Sequence, residues 1–240
     1  MSTNKNGYFW VGGKHACLEI LNNPKRQVKQ IICTESFASK IKLSRKFSIC
    51  EKDKLDREFN DKSFNHQGIA VETKALNSPT IKNINFNKSD YKILILNNIS
   101  DQRNLGSIIR SSLAFNIDYV LIDKRFFNQE SFYFLKSASG AFENQKVIVT
   151  SNIKNDILIL KKKGFWIYAL NVKGKYFVNE INFENKTAFV IGSEGKGINK
   201  TVLDKCDQSI KININKKIES LNVSNAVSSL LAILSIKINF

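Results

Sequence analysis

The stretch from Thr187 to Leu234 constrains this chain more than any other. It reads as strand, glycine loop, short helix, strand, polar loop and long helix. The apolar strand Thr187–Ile191 runs into Gly192, Gly195 and Gly197, residues that let a backbone turn sharply and approach a ligand closely. A second apolar strand, expected at Ser209–Ile214, feeds a polar loop that ends in Glu219, Ser220, Leu221 and Asn222. Behind it Val223, Ala226, Val227, Leu230, Leu231 and Leu234 recur at helical spacing, the apolar stripe of a core-facing helix. Two loops that each leave the end of a buried strand suit a small-molecule site at the edge of an α/β sheet.

Upstream the same alternation continues. Strands are expected at Ile93–Leu96, Tyr119–Ile122, Val147–Thr150 and Phe165–Leu170, with helices near 105–115, 131–138, 153–163 and 198–205. That order predicts a mostly parallel sheet covered on both faces, spanning residues 91–240. Residues 1–76 read as a smaller α/β unit. It has a run at Tyr8–Val11, a helix near His15–Leu21, a strand at Val28–Cys33, a partly helical segment at Ser36–Phe59 and a strand at His66–Val71. Between the two units, residues 77–90 are polar, hold Pro79 and read as a linker. His15 and His66 stand without a Ser, Cys or carboxylate constellation, so a structural or RNA-contacting role is expected of them rather than chemistry.

Charge narrows the partner. The chain carries a formal +16, divided as +6 on residues 1–80 and +10 on 81–240, so the excess is spread and is not a basic tail. Such a field favours a polyanion, nucleic acid before membrane, although abundant Asn, Ile and Lys also fit a simple composition bias. Cys17, Cys33, Cys50 and Cys206 lie far apart, with no C-x-x-C and no histidine at metal-binding spacing. Reduced, mostly buried thiols in a cytoplasmic protein without a metal are expected. The first ten residues lack the apolar core of a signal peptide, and no apolar run reaches the ~20 residues of a membrane span.

Three segments carry chemistry. In the first, Asn97–Phe115, Asn104 and Gly106 stand where a helix begins and Arg110 lies further along it. The planar fork of an arginine suits a phosphate or a developing oxyanion, and a surface ion pair is the plain alternative. In the second, Gly192–Gly197, Ile198 stands where a Walker A loop needs lysine, and the chain holds no G-x-G-x-x-G. Glu194 within it is either a helix-start carboxylate or a site residue. In the third, Glu219–Ala226, Ser220 and Asn222 can cap the last helix, leaving the loop backbone to bond an adenine or a ribose.

Together these segments resemble the SpoU/TrmH class of the SPOUT superfamily, the S-adenosylmethionine-dependent RNA ribose 2′-O-methyltransferases. The resemblance rests on Asn104-x-Gly106-x-x-x-Arg110, KSASGAFE at 136–143, GSEGKG at 192–197 and SLNVSNA at 220–226. GGKHACLEIL at 12–21 and HQGIAVE at 66–72 are similar to the N-terminal domain of the subgroup that methylates a guanosine of 23S ribosomal RNA. The resemblance implies an L30e-like RNA-binding domain followed by an α/β domain with a deep trefoil knot, working as a homodimer. It implies that Gly192, Gly197, Ile212 and Leu221 border the methyl donor, that Glu194, Ser220 and Asn222 support the site, and that Asn104 and Arg110 act on the ribose. The chain departs from the family pattern at Asp101–Gln102–Arg103, at Asn213–Ile214 and within Asn215–Lys217, positions that shape the donor pocket. A transfer-RNA ribose methyltransferase and a non-catalytic RNA-binding protein are the competing readings. A nucleotide-dependent oxidoreductase has only the generic α/β pattern behind it. If the charge serves RNA, affinity falls steeply between low and moderate salt in a titration, and a flat response would refute that use of it.

Overall fold

The computed structural model describes residues 7–43, 45–59 and 64–237. The N-terminal part forms β1 (Tyr8–Gly12), α1 (Lys14–Asn22), β2 (Val28–Cys33), α2 (Glu35–Ala38), β3 (Ser48–Ile49), α3 (Lys52–Glu58) and β4 (Ile69–Lys74). The remainder forms β5 (Tyr91–Asn97), α4 (Gln102–Ala114), β6 (Tyr119–Asp123), α5 (Phe132–Ala138), β7 (Val147–Thr150), α6 (Ile153–Lys162) and β8 (Trp166–Leu170). It is completed by β9 (Tyr176–Phe177), β10 (Lys186–Gly192), α7 (Lys200–Leu203), β11 (Gln208–Lys211) and α8 (Val223–Lys237).

Two sheets result. The first is four-stranded, in the order β1-β4-β2-β3. The second is seven-stranded, in the order β7-β6-β5-β10-β8-β11-β9, and every pairing in it is parallel. Successive side chains of a strand point to opposite faces, and β5 uses this fully. Leu94 and Leu96 join one apolar cluster with α4, α5 and α8, while Ile93 and Ile95 join another with α6 and α7. The sheet is therefore covered on both sides, as the strand–helix alternation predicts. Residues 77–90 do not hang free. Ile81, Ile84 and Phe86 are buried in the second cluster, where Phe86 meets the rings of Tyr91 and Phe165 edge-on at 5.2 and 5.0 Å.

Most elements lie within a few residues of their expected places, and the exceptions have local causes. The strand expected from His66 begins at Ile69, because Gln67 and Gly68 take positive φ of 55° and 82° and make a turn. His66 holds that turn. Gly68 N–H donates to its Nδ1 at 3.0 Å, so Nε2 carries the proton and lies 3.1 Å from Asp56 Oδ1. The strand expected to reach Ile214 stops at Lys211, and the expected helix at 198–205 is the single turn of α7. Cys17 and Cys33 are buried and Cys50 and Cys206 half-buried, all four as free thiols. Burial pushes the Cys206 thiol up to about 12 and Cys17 well above its ordinary value, so neither is a thiolate at neutral pH. Among the described residues no helix is long and apolar enough to cross a membrane.

The two sheets are locked together at the segment 136–143. Arg26, from the loop between α1 and β2, places Nε and Nη2 on the Glu143 carboxylate at 2.9 and 2.7 Å, while its Nη1 donates to Lys74 O at 2.6 Å. Asn23 Nδ2 donates to the same carboxylate at 2.7 Å. The arginine and glutamate side chains are 0% and 2% exposed. Removing one partner of such a pair strands a buried charge, which costs about 3–5 kcal/mol. Arg26→Ala is therefore expected to lose stability of that order in denaturant unfolding, and a loss typical of a surface ion pair would contradict the buried geometry.

Candidate active site

A cleft of about 180 Å³ opens beyond the carboxyl ends of β8, β10 and β11, the edge at which parallel sheets bind ligands. Leu170, Asn171 and Val172 leave β8, Gly192 to Glu194 leave β10, and Ile212 and Ile214 follow β11. Glu219, Ser220 and Leu221 lead into α8, whose Val223 and Ala226 face the cleft. The walls are thus aliphatic and the rim is made of loop backbone. That combination receives a flat, partly apolar ligand with hydrogen-bonding edges.

The glycine loop is built by close approach. Gly197 N–H donates to Ser193 O at 2.9 Å and Ser193 N–H to Gly197 O at 3.2 Å, so Glu194, Gly195 and Lys196 form the tip of a tight turn. A Cβ on Gly192 would overlap the Gly197 carbonyl carbon and the Ile198 amide, so only glycine fits there. Gly106 is constrained in another way. A Cβ on it would overlap Phe134 O, so α4 can rest on α5 at this distance only without a side chain.

One carboxylate ties the three segments together. Glu194 Oε1 accepts from Asn222 Nδ2 at 2.6 Å and from Val223 N–H at 2.9 Å. Val223 is the first residue of α8, so Glu194 satisfies an unpaired amide there and places negative charge at the positive end of the helix. Asn222 caps the same helix, its Oδ1 accepting from Ser224 N–H at 3.0 Å. Its amide nitrogen also reaches Asn104 Oδ1 at 3.2 Å. Asn104 is fixed in turn by the cap of α4, since its N–H donates to Asp101 Oδ1 at 2.8 Å. Glu194 thus lines the cleft and is at the same time a carboxylate at a helix start, that of α8.

Of the residues singled out from sequence, Gly192, Glu194, Gly197, Ile212, Ser220 and Leu221 line the cleft. Asn222 and Asn104 stand beside it through the hydrogen bonds above. Arg110 does not join them. It is exposed on α4, and among the described residues it has no hydrogen-bond or ion-pair partner. Ser111, one position on, faces α8 and meets Ser228 Oγ at 2.9 Å, so Arg110 flanks the α4–α8 seam. Sequence reasoning missed Leu170, Asn171 and Val172. Their only signal is position, at and just past the end of a strand of the parallel sheet. Ala226, expected on the core stripe of the last helix, faces the cleft instead.

Glu194→Ala would leave the Val223 amide and the Asn222 side chain without their acceptor, at about 1–3 kcal/mol. Glu194→Gln keeps an oxygen able to accept both bonds, so its melting temperature should fall clearly less. Equal losses would show that the charge on the helix, not the acceptor, is what matters.

Residues 91–232 match the SpoU rRNA Methylase family, and residues 10–79 match the domain described as RNA 2′-O ribose methyltransferase substrate binding. The uncharacterized tRNA/rRNA methyltransferase of Borreliella burgdorferi is 33% identical over 199 residues, covering 77% of this chain and 84% of that protein. Among solved structures, the SpoU methyltransferase AviRb from Streptomyces viridochromogenes, in complex with AdoMet, is similar with a TM-score of 0.80 at 17% identity, over 96% of this chain and 92% of that one. A structure that concerns 2-OH methylation of C/U34 on tRNA is similar with a TM-score of 0.57 at 17% identity, over 63% of this chain and 99% of its own. The chain belongs to the SpoU rRNA methylase family of RNA ribose 2′-O-methyltransferases, with that family's substrate-binding domain on its N-terminal side.

Proposed function

We propose that the protein transfers a methyl group from S-adenosyl-L-methionine to the 2′-hydroxyl of a guanosine in 23S ribosomal RNA. The observation that carries this reading is the Glu194–Asn222–Asn104 tie, which sets the Asn104 amide beside a cleft whose rim is loop backbone. On this reading residues 1–76 are an L30e-like RNA-binding unit, 77–90 a linker and 91–240 the methyltransferase unit, its C-terminal segment threaded into a knot. The enzyme works in the cytoplasm on RNA.

The cleft fits the donor. Gly192 and Gly197 keep side chains out of the cradle, Ile212 and Leu221 offer apolar contact, and Ser220 adds a hydroxyl at the rim. When bound, S-adenosylmethionine supplies an electrophilic methyl on a sulfonium. What the chain itself contributes is placement and charge. Asn104 orients the ribose, and Asn222 holds Asn104 while Glu194 holds Asn222. Arg110, with its planar guanidinium, orients the ribose and stabilises developing negative charge. An RNA phosphate accepts the proton. Arg110 lies six residues from Asn104, about 9 Å along the helix, which supports a homodimer in which it serves the partner's cleft.

The substrate-binding domain favours ribosomal over transfer RNA, because the tRNA-related structure above corresponds to only 63% of this chain. Purified protein with methyl-labelled donor should label one ribose of unmodified 23S RNA, mapped to a nucleotide. Label only on transfer RNA would overturn the substrate, and no label on either despite donor binding would favour a non-catalytic RNA-binding protein. In the same assay Arg110→Lys should lower kcat by at least tenfold, roughly the loss expected for one oriented charge contact, with donor affinity kept.

A further inference from the structure

A short ladder of aromatic and basic side chains runs from the start of α4 to the N-terminal unit, outside the cleft. The Arg103 guanidinium lies 4.5 Å from the centre of the Tyr133 ring. Tyr133 and Phe132 have ring centres 4.0 Å apart, and Phe132 meets Phe64 edge-on at 4.7 Å. Lys136 closes the ladder, with Nζ 4.9 Å from the Phe64 ring centre. Phe64 belongs to the N-terminal unit, so the ladder bridges the two parts of the molecule. Arg103 and Lys136 are exposed, and Tyr133 is 37% exposed although it is a large aromatic side chain on a helix.

Three observations give this surface a purpose. Arg103 immediately precedes Asn104, the residue tied to the cleft through Asn222. Gly106 seats α5 directly against α4, so the Tyr133 ring and Asn104 are held at a fixed separation. Arg103 and Arg110 are seven residues apart on α4 and therefore share one stripe of the helix. The stripe starts beside Asn104 and is joined through Tyr133 and Phe132 to Phe64 of the N-terminal unit.

We propose that the Arg103 guanidinium, laid on the Tyr133 ring, forms a stacking platform for an unpaired base that flanks the target ribose. The inference rests on the RNA methyltransferase reading above and adds a part of the substrate to it. Bases stack on aromatic rings and on guanidinium planes without regard to sequence, and each stack adds measurably to affinity. The platform holds the flanking base out of the RNA's own stack, which presents the neighbouring 2′-hydroxyl to Asn104. Lys136 meets the phosphate on the side toward the N-terminal unit.

The test uses the full chain and a single-stranded RNA of roughly ten nucleotides, a length typical of such sites, with 2-aminopurine at its centre. Wild-type protein should bind it and quench the fluorescence, and Tyr133→Phe should do the same. Tyr133→Ala should lose the quench and roughly tenfold in affinity, the size of one stacked base, and Arg103→Gln should weaken binding in the same direction. Binding of S-adenosylmethionine, followed by calorimetry, should be unchanged in both Tyr133 variants, which separates a lost contact from a damaged fold. Quenching by Tyr133→Ala equal to that of wild type would overturn the platform and leave the enzyme reading standing. Wild-type protein that binds the donor but no RNA would overturn both.

Discussion

The carboxylate of Glu194 is the point on which the site depends. It reaches from a glycine turn after one strand to the first amide of the last helix, and to the asparagine that caps that helix. Through that asparagine it also touches the start of α4, which follows a different strand. Three segments far apart in sequence thus share one hydrogen-bonded cluster at the carboxyl edge of a parallel sheet. The bond to the Val223 amide satisfies a donor that the fold would otherwise leave unpaired at a helix end. Stability and site geometry are the same interactions here.

Much of this was legible in the residues. The alternation of apolar runs with helical periodicity gave the parallel sheet and its two covered faces, because burial leaves a strong imprint on sequence. The motifs containing Asn104, Glu194 and Asn222 stood out, but their mutual contact is a tertiary fact that no spacing encodes. Gly106 shows the same limit. It read as a residue near a helix start, whereas its place is set by the backbone of α5 across a helix crossing. Leu170 and Val172 were invisible because an aliphatic residue at the end of a strand looks alike whether it lines a cleft or ends a core. The two-residue strands β3 and β9 carry too few residues to show any alternation. The shifted start of β4 came from a turn whose Gln67 adopts a conformation more usual for glycine.

The segment 136–143 has two separate duties. Its N-terminal part lies on α5, against the glycine of α4, and its last residue receives the arginine of the other sheet. A single apolar cluster also runs from Phe9 and Val11 of the first sheet through α4, α5 and α8. The side of the large sheet that carries Asn104 is therefore the side on which the N-terminal unit docks, and the opposite side is closed by α6, α7 and the packed residues 81–86.

The buried Arg26–Glu143 clasp has a consequence for which RNA can be read. A recognition module on a loose tether samples many distances and accepts substrates of varied shape. A clasp with no exposed charge makes the module a ruler instead: the span between the gripped RNA element and the reactive ribose is set by protein, not by chance.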